Sequence, residues 1–85
     1  MSEINTICVV IPAYNAEETV GPVVKGALVF LPTVIVADDG STDATAQVAE
    51  DAGALVIRVP ENHGKGHCLR LLFAEARKRG FEVVI

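Results

Sequence analysis

Val34-Ile35-Val36-Ala37-Asp38-Asp39-Gly40-Ser41 is an apolar run of four residues that breaks into two carboxylates and a turn. A run this short, rich in β-branched residues and closed by turn formers, reads as a strand buried on both faces. Gly40 and Ser41 suit the turn, with Ser41 placed as the N-cap of a following helix and Asp43 favoured by that helix's dipole. Ala44, Val48 and Ala52 then recur at helical spacing, and Gly53 is positioned to close the helix as its C′ residue.

The same strand–helix unit recurs on both sides of this stretch. Upstream, Thr6 to Ile11 (T-I-C-V-V-I) is a second continuous run stopped by Pro12, with Pro12-Ala13-Tyr14-Asn15 as a turn. Val20, Val23, Val24, Ala27, Leu28 and Leu31 mark a helix; with Thr19 as N-cap, Pro22 falls in its first turn, and Pro32 ends it. Downstream, Leu55 to Val59 is a strand ending at Pro60, and Glu61 to Gly66 is a loop. Leu69, Leu72, Phe73 and Ala76 mark a further helix ending near Gly80, and Phe81 to Ile85 starts a fourth strand. The order βαβαβαβ predicts an α/β fold, a parallel Rossmann-like sheet with helices on both faces. The chain is expected to form one truncated domain over residues 1–85. Ligands of such sheets bind beyond the carboxyl ends of the strands, at a topological switch point.

The bulk properties narrow the function. Eighty-five residues are short for a self-sufficient α/β enzyme, while 51% apolar residues and a mean hydropathy of +0.42 exclude a disordered chain. Seven basic against 11 acidic residues give a net charge of −4 and no basic stripe suited to nucleic acid. The longest apolar stretch, Val23 to Val36, is interrupted by Lys25, Gly26, Pro32 and Thr33, too soon to span a bilayer. Met1-Ser2-Glu3 lacks the basic start and apolar stretch of a signal peptide. Cys8 and Cys68 sit in apolar patterns and read as reduced, buried thiols, so a cytoplasmic location is expected.

Three strand-end loops are candidates for chemistry. At Pro12, Ala13 and Tyr14, the tyrosine can stack on a base beside a backbone fixed by proline; a rim tyrosine after a strand stop is the plainer reading. At Asp38 and Asp39, a carboxylate can accept hydrogen bonds from a base or ribose, as the acidic residue of dinucleotide folds does. The pair also invites a metal, but adjacent strand residues point to opposite faces. At Gly64, Lys65 and Gly66, two glycines flanking a lysine before a helix let backbone and ammonium approach a phosphate. This is neither a Walker loop nor the G-x-G-x-x-G fingerprint, because position 69 is leucine. His63, His67 and Cys68 could be grouped as metal ligands, but no further Cys or His lies nearby to complete a tetrahedral set.

V-V-I-P-A-Y-N (9–15), a strand ending in D-D-G-S-T-D-x-T (38–45), and N-x-G-K-G (62–66) opening a helix together resemble the start of family 2 glycosyltransferases. The likeness runs from Cys8 to Ile85 and looks closest to the polyprenyl- or dolichyl-phosphate sugar transferases. It implies the N-terminal part of a GT-A fold that binds a UDP- or GDP-sugar and transfers the sugar to an acceptor such as polyprenyl phosphate. Pro12, Ala13 and Tyr14 would line the base and ribose. Asp39, or less favourably Asp38, would bond the base or ribose, and Gly64, Lys65 and Gly66 would lie near the donor's phosphate end.

In the family, a D-x-D motif after the fourth strand holds Mg²⁺ or Mn²⁺, which neutralises the leaving nucleoside diphosphate. Phe81 to Ile85 resembles the strand leading into it, so the metal ligands and the acceptor-side base are expected beyond Ile85. The 85 residues alone are expected to be catalytically inactive. Peripheral membrane attachment is expected from the same missing part. Ala16 departs from the family's glutamate after P-x-Y-N, leaving Glu17 or Glu18 as its substitute, with Glu18 carried as a donor-site residue. A small-residue pair often follows G-K-G, and His67-Cys68 stands in its place.

Two other readings follow. A non-catalytic nucleotide-binding or assembly module is one; receiver domains carry an acidic pair, but after the first strand rather than the second. The other is that a four-stranded slice of a larger sheet self-associates through an uncovered strand edge and helix face.

Overall fold

The computed structural model describes residues 6–85. Met1 to Glu3, read above for a leader pattern, lie outside the described residues. Strands β1 (Ile7–Ala13), β2 (Val34–Asp39), β3 (Leu55–Val59) and β4 (Val83–Val84) alternate with helices α1 (Val20–Phe30), α2 (Thr45–Asp51) and α3 (Lys65–Lys78). All pairings are parallel, in the order β3-β2-β1-β4. The chain thus moves outward from β1 to β3, then crosses back to place β4 on the other side of β1. That reversal puts the topological switch between β1 and β4.

The period of two along the strands sorts side chains between two cores. On one face Cys8, Ile35, Ala37 and Val59 pack against Cys68, Leu72 and Ala76 of α3. On the other, Ala13, Val34 and Val36 pack against Val20 and Val24 of α1 and Ala49 of α2. Helices therefore cover both faces, as the alternation predicts. Every residue of β2 is buried, since it has a strand on each side and helices above and below. Fully burying Ile35 or Leu72 is worth about 2 kcal/mol each.

Several local expectations shift. Pro12 does not stop β1, which continues to Ala13 with Pro12 in register with Ala37. The reason lies in the direction of the amides. Val9 N–H donates to Thr33 on the β2 side and Val10 N–H to Ile85 on the β4 side. Position 12 shares the parity of Val10, so proline's missing donor costs the β1–β2 ladder nothing. Thr19 is the N-cap of α1 and Pro22 sits in its first turn, as expected.

Ser41 is not the cap of α2. That helix starts at Thr45, and Asp43 accepts hydrogen bonds from both the Thr45 N–H and its hydroxyl. Its buried residues are Thr45, Ala46 and Ala49, while Ala44 is exposed and Val48 and Ala52 are half-buried. Gly53 follows the C-cap Ala52 as expected, its N–H donating to Glu50 O. Lys65 and Gly66 belong to the first turn of α3 rather than to the preceding loop. Cys8 and Cys68 are free, buried thiols.

Candidate functional site

Parity along the strands also distributes the polar residues at their ends. Asp39 continues the odd-numbered row of Ile35 and Ala37, which faces α3; Asp38 continues the row of Val34 and Val36, which faces α1 and α2. The two carboxylates are therefore parted. Asp38 Oδ1 accepts the Ser41 N–H at 3.1 Å, closing its own turn. Asp39 reaches forward instead. Its Oδ1 accepts the His63 N–H and its Oδ2 the Gly64 N–H, both at 2.8 Å.

This latch needs two glycines. Gly40 has φ +70°, and a Cβ there would lie 2.6 Å from Asn62 N and from Glu61 C, so only glycine lets the β2 end press against the β3–α3 loop. Gly64, the N-cap of α3, has φ +92° and ψ 163°, a region open almost solely to glycine. The two N–H bonds, that of His63 first, hold the Asp39 carboxyl below its ordinary value. Cys68 lies beneath; burial and the neighbouring Asp39 carboxylate push its thiol up to about 11.

Around Asp39 opens a crevice of about 270 Å³ lined by Pro12, Ala13, Tyr14, Asp39, Lys65 and Cys68. Tyr14 stands at the rim, 49% exposed, and Lys65 begins α3, whose first-turn N–H groups have no intrahelical partners. Five of the expected residues thus converge at the carboxyl ends of β1 and β2. Cys68, three positions beyond Lys65 on α3, is the lining residue that sequence reasoning missed; its helical spacing from Lys65 was the available signal. Glu18 is not brought to the crevice: it lines a separate hollow with Asn15, Ala16, Glu17, Thr19 and Asp43. Asp38 and Gly66 are not among the lining residues, and the Gly64 N–H is already given to Asp39.

A second arrangement, unseen in the sequence, ties the loop after β1 to the loop after β2. Asn15 takes a left-handed φ of +47°, which asparagine tolerates. Its N–H donates to Ser41 Oγ and its Oδ1 accepts the Thr42 N–H, both at 2.8 Å. The Ala16 N–H donates to Thr45 Oγ1 at 2.8 Å and the Glu17 N–H to Asp43 Oδ2 at 3.2 Å; Glu17 Oε1 accepts the Ala44 N–H at 3.3 Å. Of the two glutamates offered as substitutes at position 16, Glu17 makes the inter-loop contact.

Metal donors are not assembled. Among the described residues no three His, Cys, Asp or Glu side chains form a group able to hold an ion. The His63 and His67 rings lie with centroids 4.7 Å apart and planes tilted by 43°, while Cys68 turns into the core below Asp39. The described residues therefore do not fit a divalent cation. No helix among the described residues is long and apolar enough to cross a membrane.

Residues 8–85 match the family described as Glycosyl transferase family 2. The chain is 45% identical over 71 residues to Protein RfbJ of Shigella flexneri, a match covering 81% of this chain and 54% of that protein. It is 36% identical over 91 residues to the dolichyl-phosphate beta-glucosyltransferase of Drosophila melanogaster, covering 86% of this chain and 28% of the relative. Among solved structures, glucosyl-3-phosphoglycerate synthase from Mycobacterium tuberculosis, in complex with Mn²⁺, uridine diphosphate and glucosyl-3-phosphoglycerate, superposes with a TM-score of 0.66. That match is 41% identical and covers 81% of this chain and 29% of that one. The chain thus spans between roughly a quarter and a half of the length of these proteins.

Proposed function

The chain belongs to glycosyl transferase family 2, and from that premise we propose that its crevice receives the nucleoside diphosphate end of a UDP- or GDP-sugar. The convergence of Pro12, Ala13, Tyr14, Asp39 and Lys65 on one hollow carries this reading. Tyr14 offers an exposed ring for the base to stack on. Each Asp39 oxygen has spent one acceptor site on a backbone N–H and the Cys68 thiol draws on a third, which leaves one for a base N–H or a ribose hydroxyl. The Lys65 ammonium, with the unpartnered first-turn amides of α3, is suited to the diphosphate.

That the solved relative binds uridine diphosphate together with Mn²⁺ supports the donor class. A divalent cation bound with the donor would offset charge on the leaving diphosphate. Its ligands, the acceptor site and the catalytic base are proposed to belong to residues outside 1–85, and sugar transfer to a polyprenyl phosphate is proposed for the longer protein only. The exposed Leu55 on edge strand β3 and the exposed Val29 and Phe30 of α1 support self-association of the isolated chain, which light scattering over a concentration series tests.

The deciding experiment titrates UDP and GDP into the chain while following the Ala13, Tyr14, Asp39, Gly64 and Lys65 resonances. Saturable shifts confined to these residues, weakened in Lys65→Met with the fold unchanged, are expected. A folded sample in which neither nucleotide moves them at millimolar concentration sinks the proposal and favours an assembly module.

A further inference from the structure

One face of α3 has no role in the crevice. Arg70, Phe73 and Arg77 follow one another at i, i+3 and i+7 and so share a line along the helix. With Ala74 and Lys78 they line a shallow groove open to solvent, in which Phe73 is 50% exposed. Among the described residues the side chains of Arg70, Arg77 and Lys78 have no ion pair or hydrogen-bond partner. Arg58 and Arg79, by contrast, are tied to Glu50 and Glu75.

Against the expectation of no basic stripe, charge is segregated along the chain. From Lys65 to Arg79 there are five cations and one carboxylate; the other seventy residues hold two cations and ten carboxylates. The carboxylates of Glu17, Glu18, Glu50 and Asp51 belong to the α1–α2 side of the sheet, opposite α3. An acidic protein of this kind meets an anionic surface with its α3 side foremost.

We propose that the Arg70–Phe73–Arg77 face of α3 docks on a bilayer surface rich in anionic phospholipid headgroups. Phe73 enters the boundary between headgroups and acyl chains, and Arg70, Arg77 and Lys78 meet lipid phosphates while their stems lie along the apolar boundary. An acidic protein would match the three cations as well, but it would need a hollow shaped for the Phe73 ring. A bilayer takes the ring without one. None of these residues lines the nucleotide crevice, so lipid binding and nucleotide binding are lost separately.

Co-sedimentation of the chain with vesicles tests this at low ionic strength. Vesicles of phosphatidylcholine mixed with phosphatidylglycerol should retain the protein, and phosphatidylcholine vesicles should not. Neutralising Arg70, Arg77 and Lys78 to Gln should lower partitioning by about fivefold for each charge. Phe73→Ser should lower it at unchanged charge, with circular dichroism and UDP shifts as in the parent. Failure to bind the mixed vesicles, or undiminished binding by the triple variant, overturns the proposal. So does capture by soluble polyglutamate in the absence of vesicle binding, which points to an acidic protein partner.

Discussion

The two polar assemblies at the carboxyl end of the sheet are built on opposite plans. On the α1–α2 side, the loops after β1 and β2 are joined by several hydrogen bonds spread over Asn15, Ala16, Glu17, Ser41, Thr42, Asp43 and Thr45. On the α3 side, the β3–α3 loop is held by one carboxylate, Asp39, through two amides, and by the bare backbone of Gly40. A distributed clasp degrades by steps when its parts are removed. A single latch fails as a unit, and this latch carries the lysine-bearing helix start that lines the crevice.

The largest expected break is Gly40→Ala. Its Cβ meets backbone atoms at 2.6 Å, which no side-chain motion relieves, and the residue must hold φ +70°. Strain and overpacking together should cost about 3 kcal/mol or more in urea unfolding. Next comes Asp39→Asn, whose single carbonyl oxygen cannot serve both amides. Hydrogen exchange at His63 and Gly64 should accelerate by at least about tenfold, with the Thr42 amide unchanged and UDP shifts lost.

Acid should loosen both assemblies. The Asp43 carboxyl is held below its ordinary value, chiefly by the Thr45 hydroxyl, as Asp39 is by the His63 N–H. With folded values depressed, their stabilisation is complete above about pH 4 and fades as pH falls through the lower folded values. Thermal melts should therefore be level from neutrality to that point and decline below it, less steeply in Asp39→Asn or Asp43→Asn. The smallest effect is expected of Asn15→Gly, which keeps the left-handed backbone free of strain. It removes one acceptor from a redundant set at an exposed site, costing about 1 kcal/mol by urea unfolding while the His63 and Gly64 amides stay protected.

What the sequence discloses follows the reach of local rules. Runs such as Val34 to Ala37 and their alternation with helical spacing gave the class of fold, because burial on two faces leaves a periodic mark. Parity alone was enough to separate Asp38 from Asp39. It could not say that Asp39 would be spent on His63 and Gly64, because that depends on how near the β3–α3 loop runs to Gly40. The same limit hid the clasp, in which side chains on one loop serve amides on another some 26 to 29 positions away. Ser41 and Thr45 each look like helix caps locally, and tertiary contact diverts both to the neighbouring loop. Cys68 was read as a buried thiol, and only its helical spacing from Lys65 hinted that it floors the crevice.

Pro12 has one more effect. Val10 gives its N–H to Ile85, and the next donor on that side of β1 would be residue 12, which has none. Whatever follows Ile85 in a longer protein can still donate to the Val10 carbonyl, but it receives no N–H back from position 12, so the β1–β4 ladder loses one rung there. The missing rung falls beside Ala13 and Tyr14, so a single imino acid loosens the grip between β1 and β4 at the rim of the crevice.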